Sequence, residues 1–204
     1  MLGYSFKRAR LSIKHLRDQD QFDKQQSEII QLIELHKQGY LDVYFGDESH
    51  FGLTPNLPYA WQHKDKPLLL PASKSKSLSV LGLMTPCCKL YSKIFEHTIN
   101  SDIAIEFMDD FANQISKKTI VILDNAPIHK SKKFISNLAR WKEQDLYIYF
   151  LPPYSPELNK IEILWRFIKY QWIPLDAYKN FQNLKERLSE TLLMVGSKHI
   201  INYY

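Results

Sequence analysis

The amino-acid sequence predicts an α/β fold in which helices cover both faces of a mixed five-stranded sheet. The first observation is the order of elements: a helix, a meander of strands, and then an alternation of helices and strands. A meander gives antiparallel pairs and strand–helix–strand crossovers give parallel ones, so both kinds are expected in one sheet. The second observation is that Asp47 and Asp124 each follow an apolar run. Ligand sites in such sheets lie at the carboxyl ends of central strands.

Strands are predicted where short runs rich in aliphatic, β-branched or aromatic residues lie between turn residues. The principal runs are 41–46, 78–84, 90–97, 119–123 and 146–151, and a further short strand is predicted near 59–62. The run at 119–123 is continuously apolar, which is typical of a strand buried on both faces. Asp47 is expected just past the end of its strand.

Helices are predicted where apolar residues recur every three or four positions. The predicted helices run from Phe22 to a glycine cap at Gly39, from a cap at Ser101 or Asp102 to Ile115, over 131–142, over 158–172 and over 180–195. Pro174 ends the fourth of them, because proline has no amide hydrogen to continue a helix. Trp165 and Trp172 lie on the apolar face of that helix and are predicted to be core residues.

Composition indicates one ordinary globular domain that needs neither disulfides nor a structural metal. The chain has 204 residues, of which 45% are hydrophobic and 24% charged. The net charge of +5 fits a phosphate-rich partner, although many basic proteins bind no nucleic acid. The two cysteines, Cys87 and Cys88, are neighbours and are expected to be reduced thiols. Neither a signal peptide nor an apolar run of roughly 20 residues is recognised, so a cytoplasmic, nucleoid-associated protein is expected.

Three acidic residues stand where a metal site would be expected. Asp47 and Asp124 follow strands in YFGDESHFG and VILDNAPIH, and Glu162 begins a helix in LPPYSPELNKIEILW. Mg²⁺ takes oxygen ligands, usually a few carboxylates with waters and substrate phosphate. Two such ions about 4 Å apart can activate a water or a 3′-hydroxyl and stabilise the leaving oxygen. Taken singly, such acids are more often turn residues, caps or members of surface pairs, as Glu162 could be with Arg166.

The same segments resemble the signature blocks of DDE-type insertion-sequence transposases of the mariner-like superfamily, in its bacterial branch. That family carries Asp-Glu after the first strand and Asp-Asn-Ala-x-x-His after the fourth. Its last block reads Leu-Pro-x-Tyr-Ser-Pro-(Glu or Asp)-Leu-Asn-Pro-Ile-Glu. This chain has Asp47-Glu48, Asp124 through His129, and Leu151 through Glu162, and the resemblance extends from about residue 40 to 173.

The resemblance implies a ribonuclease-H-like fold and a metal-dependent transposase catalytic domain. It implies that Asp47, Asp124 and Glu162 are the catalytic residues and hold Mg²⁺ or Mn²⁺, with two ions expected. Positions 124 and 162 are 38 apart, close to the interval usual in the family. Such an enzyme cuts transposon ends in double-stranded DNA and joins the freed 3′-hydroxyl to a TA target. It is expected to act as a homodimer on DNA.

Two departures from the family pattern bear on these expectations. Lys160 replaces the proline that usually precedes the Ile-Glu pair. Residues 1–40, a basic segment and a helix, are predicted to be the remnant of a linker to a DNA-binding domain, with the catalytic domain over 41–204. An upstream polypeptide would then supply the helix-turn-helix that recognises inverted repeats. A remnant limited to DNA binding or dimerisation, and a nuclease without strand transfer, are the alternative functions.

Further residues are candidates for supporting roles near the predicted site. Glu48, expected to point away from Asp47, and Glu157 are the rival carboxylates. Asn125 and His129 are candidates to orient a ligand. A group of lysines could follow a phosphate backbone. These are Lys64, Lys66, Lys130, Lys132 and Lys133.

Overall fold

A computed structural model describes residues 14–56, 63–65, 69 and 76–201 of the chain. Its strands are β1 (Asp42–Phe51), β2 (Leu78–Met84), β3 (Leu90–Phe95), β4 (Thr119–Leu123) and β5 (Leu146–Phe150). Its α-helices are α1 (Gln19–Lys37), α2 (Ser101–Ala112), α3 (Lys132–Ile135), α4 (Leu138–Glu143), α5 (Ile161–Phe167) and α6 (Phe181–Leu193). The predicted strand near 59–62 and Lys66 lie outside the described residues.

The five strands form one mixed sheet in the order β3-β2-β1-β4-β5. Strand β1 pairs antiparallel with β2 and parallel with β4, and β4 pairs parallel with β5. This arrangement confirms the predicted mixed sheet. Strand β1, which carries Asp47, is the central strand of the sheet. The antiparallel strands lie on one side of it and the parallel strands on the other.

Helices cover both faces of the sheet and enclose two separate cores. One core contains apolar side chains of α1, α5 and α6, and the other contains those of α2, α3 and α4. Strand β1 contributes Val43 and Phe45 to the first core and Tyr44 to the second, as alternating side chains of a strand do. In the described ranges, no helix is sufficiently long and apolar to span a bilayer.

Strand β1 is longer than the sequence predicts, and Asp47 lies within it. The prediction that Asp47 follows the strand end was therefore wrong. Parallel pairing with β4 ends at Phe45 opposite Ile122, whereas antiparallel pairing with β2 continues to Phe51 opposite Leu78. The prediction missed the extension because the polar half of the strand is held by β2 alone. Asp47 nevertheless lies just beyond the point where β4 stops accompanying β1.

Two predicted helices are broken into shorter elements. The helix predicted over 131–142 is the pair α3 and α4, interrupted at 136–137. The helix predicted over 158–172 begins with a 3₁₀ turn at Pro156–Leu158, continues as α5 and ends in a wide π turn at Ile168–Trp172. The cap of α2 is Asn100 and neither of the two predicted residues, because the Asn100 side chain accepts the Ile103 amide at 3.0 Å.

Helix α1 is fastened to the sheet by buried apolar residues and by hydrogen bonds to β5. Phe22 and Ile29 belong to the same core as α5 and α6. The Tyr149 hydroxyl donates to the Glu28 carboxylate, and the Gln25 side-chain amide donates to the Phe150 carbonyl at 3.3 Å. The helix that precedes β1 is therefore an integral part of this fold.

Replacing Tyr149 with Phe is expected to lower the free energy of unfolding by about 1–2 kcal/mol. The substitution keeps the ring but removes a hydrogen bond to a carboxylate, and such bonds are stronger than neutral ones. Urea unfolding measures the change. Tyr147→Phe on the same strand is the control, because that ring faces Lys118 instead and should lose little. Equal unfolding midpoints for the two variants would show that the Tyr149–Glu28 bond contributes nothing.

Candidate active site

Two parallel neighbouring strands and one helix bring the three predicted carboxylates to a common cavity. Asp47 lies in β1 and Asp124 directly follows β4, so both reach the same edge of the sheet. Glu162 lies in the first turn of α5, which packs against β1 and β2. All three line one cavity of about 310 Å³. The structure thus brings together residues that are separated by long stretches of sequence.

Asp47 is the most deeply placed of the three carboxylates. Burial raises the pKa of Asp47 well above its ordinary value, and the charges of Glu162 and Asp124 raise it further. The Trp165 indole nitrogen donates to the Asp47 carboxylate at 3.0 Å and opposes part of this shift. Burial and the two neighbouring carboxylates therefore disfavour the charged form of Asp47.

Asp124 is held in its ionised form by hydrogen bonds to one carboxylate oxygen. The Ala126 backbone amide and the His129 Nδ1 atom both lie 3.0 Å from Asp124 Oδ1. Burial acts to raise the pKa of Asp124, but these hydrogen bonds and the His129 charge outweigh it and hold the pKa below its ordinary value. His129 is itself buried, and its ring packs beside Phe134. Its position therefore orients the Asp124 carboxylate.

The Glu162 side chain lines the carboxylate cavity. Burial raises the pKa of Glu162, the charge of Asp124 raises it further, and Lys169 opposes the shift. Among the described residues Glu162 forms no ion pair, so the surface pair with Arg166 that the sequence allowed is not formed. The Glu162 carboxylate is left available to a cation.

The chemistry of these side chains fits a hard divalent cation. The donors are carboxylate oxygens, which Mg²⁺ and Mn²⁺ prefer, and their mutual repulsion is what a bound cation would relieve. Within the described ranges, no three acidic, histidine or cysteine side chains enclose an ion by themselves.

Comparison with known proteins identifies the family of this fold and site. Residues 42–185 match the family described as DDE superfamily endonuclease. The chain belongs to this family. The matched range contains Asp47, Asp124 and Glu162 and runs from the first residue of β1 into α6.

Solved structures with the same fold include several of the Mos1 mariner transposase. The Mos1 paired-end complex with the left transposon end has a TM-score of 0.61 at 16% identity, covering 94% of this chain and 60% of that one. The catalytic domain of Mos1 has a TM-score of 0.53 at 14% identity, covering 86% and 82%. These matches confirm the ribonuclease-H-like fold class.

A curated bacterial protein is similar to half of the chain. The uncharacterized protein y4pE/y4sA of Sinorhizobium fredii (strain NBRC 101917 / NGR234) is 33% identical over 104 residues, which is 50% of this chain and 65% of that protein. The chain therefore spans a little under two thirds of both this relative and the Mos1 chain of the paired-end complex.

Lys169 is a charged residue of this DDE-family site that the sequence analysis did not select. It lies on the π turn after α5 and lines the same cavity as the carboxylates, with its ammonium 5.3 Å from the centre of the Phe51 ring. Burial lowers the pKa of Lys169, whereas the charges of Glu162 and Asp47 oppose that change. Its interval of seven residues from Glu162 corresponds to two helical turns and could have indicated that both share a face.

The rival carboxylates occupy different environments from the three predicted ones. Glu48 lines the carboxylate cavity despite its predicted orientation away from Asp47, with one buried oxygen that has no partner among the described residues. Glu157 is engaged elsewhere: its carboxylate lies 2.8 Å from the Lys14 ammonium and 3.7 Å from the Arg17 guanidinium. The hydrogen bond from Lys14 lowers the pKa of Glu157.

The predicted supporting residues differ in whether they line a cavity of the site. The Asn125 side-chain amide donates to the Leu151 carbonyl and lines an adjoining cavity of about 440 Å³ together with Asp124 and Glu162. Three of the predicted lysines are exposed, but Lys133 is paired with Asp102 and Lys130 lies over the Phe150 ring at 4.4 Å. Lys64 is exposed as well. None of these placements identifies a DNA contact by itself.

Proposed function

We propose that this chain is the catalytic domain of a DNA transposase that cuts element ends and joins the freed 3′-hydroxyl to target DNA. The observation that supports this most strongly is the convergence of Asp47, Asp124 and Glu162 on one cavity, from three separate elements. Burial raises the pKa of Asp47 and Glu162, and repulsion from the neighbouring carboxylates raises it further; divalent cations would offset that repulsion.

Some residues of the chain are proposed to hold the ions, and others to orient the carboxylates that hold them. Asp47, Asp124 and Glu162 would be the ligands of Mg²⁺ or Mn²⁺, and two ions are proposed. When bound, such ions supply activation of a water or 3′-hydroxyl and stabilisation of the leaving oxygen. Trp165 fixes the Asp47 carboxylate, and His129 fixes that of Asp124. Lys169 places a positive charge at the cavity wall, where a phosphate oxygen would lie.

Double-stranded DNA is the proposed substrate. Solved structures with this fold include Mos1 complexes with a transposon end, with Mn and with Mg. A TA target and a homodimer on DNA are proposed from the resemblance of the sequence motifs to the family. The exposed Lys64, Lys130 and Lys132 are proposed to contact the phosphate backbone, as are Lys66 and, less directly, Lys133.

Residues 1–40 are proposed to connect the catalytic domain to a DNA-recognition module. Helix α1 would then be the last element of that connection, and it is fixed to the sheet through Glu28 and Tyr149. An upstream helix-turn-helix polypeptide would supply the recognition of element ends. The catalytic domain is proposed to occupy 41–204, with α1 packed against it and completing its core.

A strand-joining assay tests the proposal. The chain is incubated with Mg²⁺ or Mn²⁺, a supercoiled plasmid and a labelled duplex that carries a free 3′-hydroxyl. Label that becomes covalently joined to the plasmid is the expected result. Only shortened label would indicate a nuclease without strand transfer, and an unchanged label with folded protein would indicate an inactive remnant. Asp124→Asn is the matched control, because it keeps the shape of the side chain and should abolish all products.

Adding Mn²⁺ is expected to stabilise the folded chain, because the ion binds carboxylates that otherwise repel each other. At about 100 times the dissociation constant, the gain in the free energy of unfolding should be about 2.7 kcal/mol. Thermal unfolding with and without Mn²⁺ measures the gain. Sodium chloride at equal ionic strength is the control, and a comparable gain with sodium chloride would contradict specific binding at this site.

A further inference from the structure

Asn159 connects strand β1, which carries Asp47, to the start of helix α5, which carries Glu162. It lies between the 3₁₀ turn and α5, and only 3% of its surface is exposed. Its side-chain amide donates to the Gly46 carbonyl at 2.9 Å, immediately before Asp47. Its own carbonyl accepts the Glu162 backbone amide at 3.2 Å. One buried residue therefore contacts the backbone on both sides of the carboxylate cavity.

The start of α5 is held by the buried side chain of Ile161 and by the hydrogen bonds of Asn159. Trp165 also reaches across to β1, but from the second turn of α5 and to the Asp47 carboxylate, not to the backbone. Asn159, three residues before Glu162, instead donates a side-chain hydrogen bond to the backbone of β1.

The side chain of Asn159 is not what stability alone would favour at this position. Its Oδ1 atom is buried and has no hydrogen-bond partner among the described residues. A buried polar atom without a partner is unfavourable, and an apolar side chain of similar size would avoid that cost. The benefit of the amide must lie in the bond that its nitrogen makes to Gly46.

We infer that Asn159 is a positioning residue that sets the separation of Asp47 and Glu162 and thereby the affinity of the site for divalent cations. The inference rests on the proposed function, because it assumes that these carboxylates bind metal. Asn159 itself touches neither the ion nor DNA in this role. It acts by holding the Gly46 backbone of β1 against the first turn of α5.

Direct titration of Mn²⁺ into the full chain, followed by electron paramagnetic resonance, tests the inference. Asn159→Leu keeps the branching and the number of heavy atoms of the side chain and removes the donor to Gly46. We expect its Mn²⁺ dissociation constant to rise about 10- to 100-fold, as for other residues that orient metal ligands. Thr119→Val is the matched control, because it also removes one buried side-chain hydrogen bond, from the opposite end of β4. The control should lose similar stability in urea but bind Mn²⁺ as the wild type does.

The outcomes separate this inference from the proposed function. Unchanged Mn²⁺ affinity in folded Asn159→Leu, or equal weakening by both variants, would overturn it. Wild-type protein that binds no Mn²⁺ would instead overturn the metal-dependent function itself. If Asn159→Leu does not fold, Asn159→Asp replaces it, since a carboxylate cannot donate to the Gly46 carbonyl. An added negative charge attracts cations, so weaker binding by Asn159→Asp can only reflect misplaced ligands.

A double-mutant cycle tests the route through Glu162. In a Glu162→Gln background the second ligand is already lost, so Asn159→Leu should weaken Mn²⁺ binding much less than it does in the wild type. Additive effects of the two substitutions would show that Asn159 does not act through Glu162 and would contradict the positioning role.

Discussion

Replacing Asp47 with Asn is expected to abolish DNA cleavage while making the metal-free chain more stable. The substitution removes a proposed metal ligand, which should lower activity by more than about a hundredfold. It also removes a buried charge that Glu162 and Asp124 repel, and the indole of Trp165 can still donate to the amide oxygen. The gain in the free energy of unfolding should be on the order of 1 kcal/mol.

The pH dependence of stability gives the sign of this effect. Because the pKa of Asp47 is higher in the folded chain than in the unfolded one, the folded state binds the proton more tightly. This contribution is complete below the ordinary aspartate pKa and is lost as the pH rises through the raised value. In metal-free buffer, wild-type stability should therefore fall across that range, and the fall should be smaller in Asp47→Asn.

Urea unfolding in a chelating buffer at several pH values measures both quantities. Glu143→Gln is the control, because it removes an equal formal charge from an exposed position on α4. That control should retain cleavage activity and the wild-type pH profile. A folded Asp47→Asn variant that is less stable than the wild type at neutral pH would contradict charge repulsion at the site.

Replacing Gly82 with Ala is expected to destabilise the fold and to disturb the site at once. Gly82 lies opposite Asp47 on β2, and Trp165 of α5 packs directly over it. A Cβ atom at this position would lie 2.8 Å from the Trp165 ring and 3.1 Å from Ile161 Cδ1. Both neighbours are buried, so α5 must move outward, at a cost of about 1–3 kcal/mol.

The same movement should weaken metal binding, because α5 carries Glu162 and the indole that donates to Asp47. We expect Gly82→Ala to raise the Mn²⁺ dissociation constant about tenfold or more. Gly52→Ala is the control: a Cβ atom there meets nothing within 4 Å, so stability and Mn²⁺ affinity should stay close to the wild type. Equal behaviour of the two variants would show that close contact at Gly82 is unimportant.

Much of the fold follows from patterns that are local in the sequence. The apolar run of β4 and the motif after it correctly predicted Asp124 at a strand end. The prediction for Asp47 was wrong in detail, because the length of β1 depends on β2, whose pairing the sequence of β1 does not reveal. Trp165 was correctly predicted as a core residue, being 3% exposed. Its hydrogen bond to Asp47 could not be predicted, since it depends on tertiary placement.

The arrangement of the site itself depends on contacts between distant positions. Asn159 and Gly46 are 113 positions apart, and no periodicity within either segment indicates that they meet. Lys169 was overlooked because charged residues on a helix are usually solvated, and its burial beside Glu162 becomes evident only with the π turn in place. Sequence motifs therefore selected three carboxylates that line one cavity, whereas the residues that contact them became evident only in the three-dimensional structure.

The extent of the core around α5 limits how this domain can be exchanged between genes. The family match covers 42–185, yet the core around α5 also includes Phe22 and Ile29 before that range and Leu192 and Ile201 after it. The boundaries of the evolutionary module and of the folding unit therefore differ at both ends. A recombination event that transferred only the recognisable segment would leave apolar surface uncovered on both sides. A transferred domain that folds would have to include the segments before and after 42–185 that complete this core.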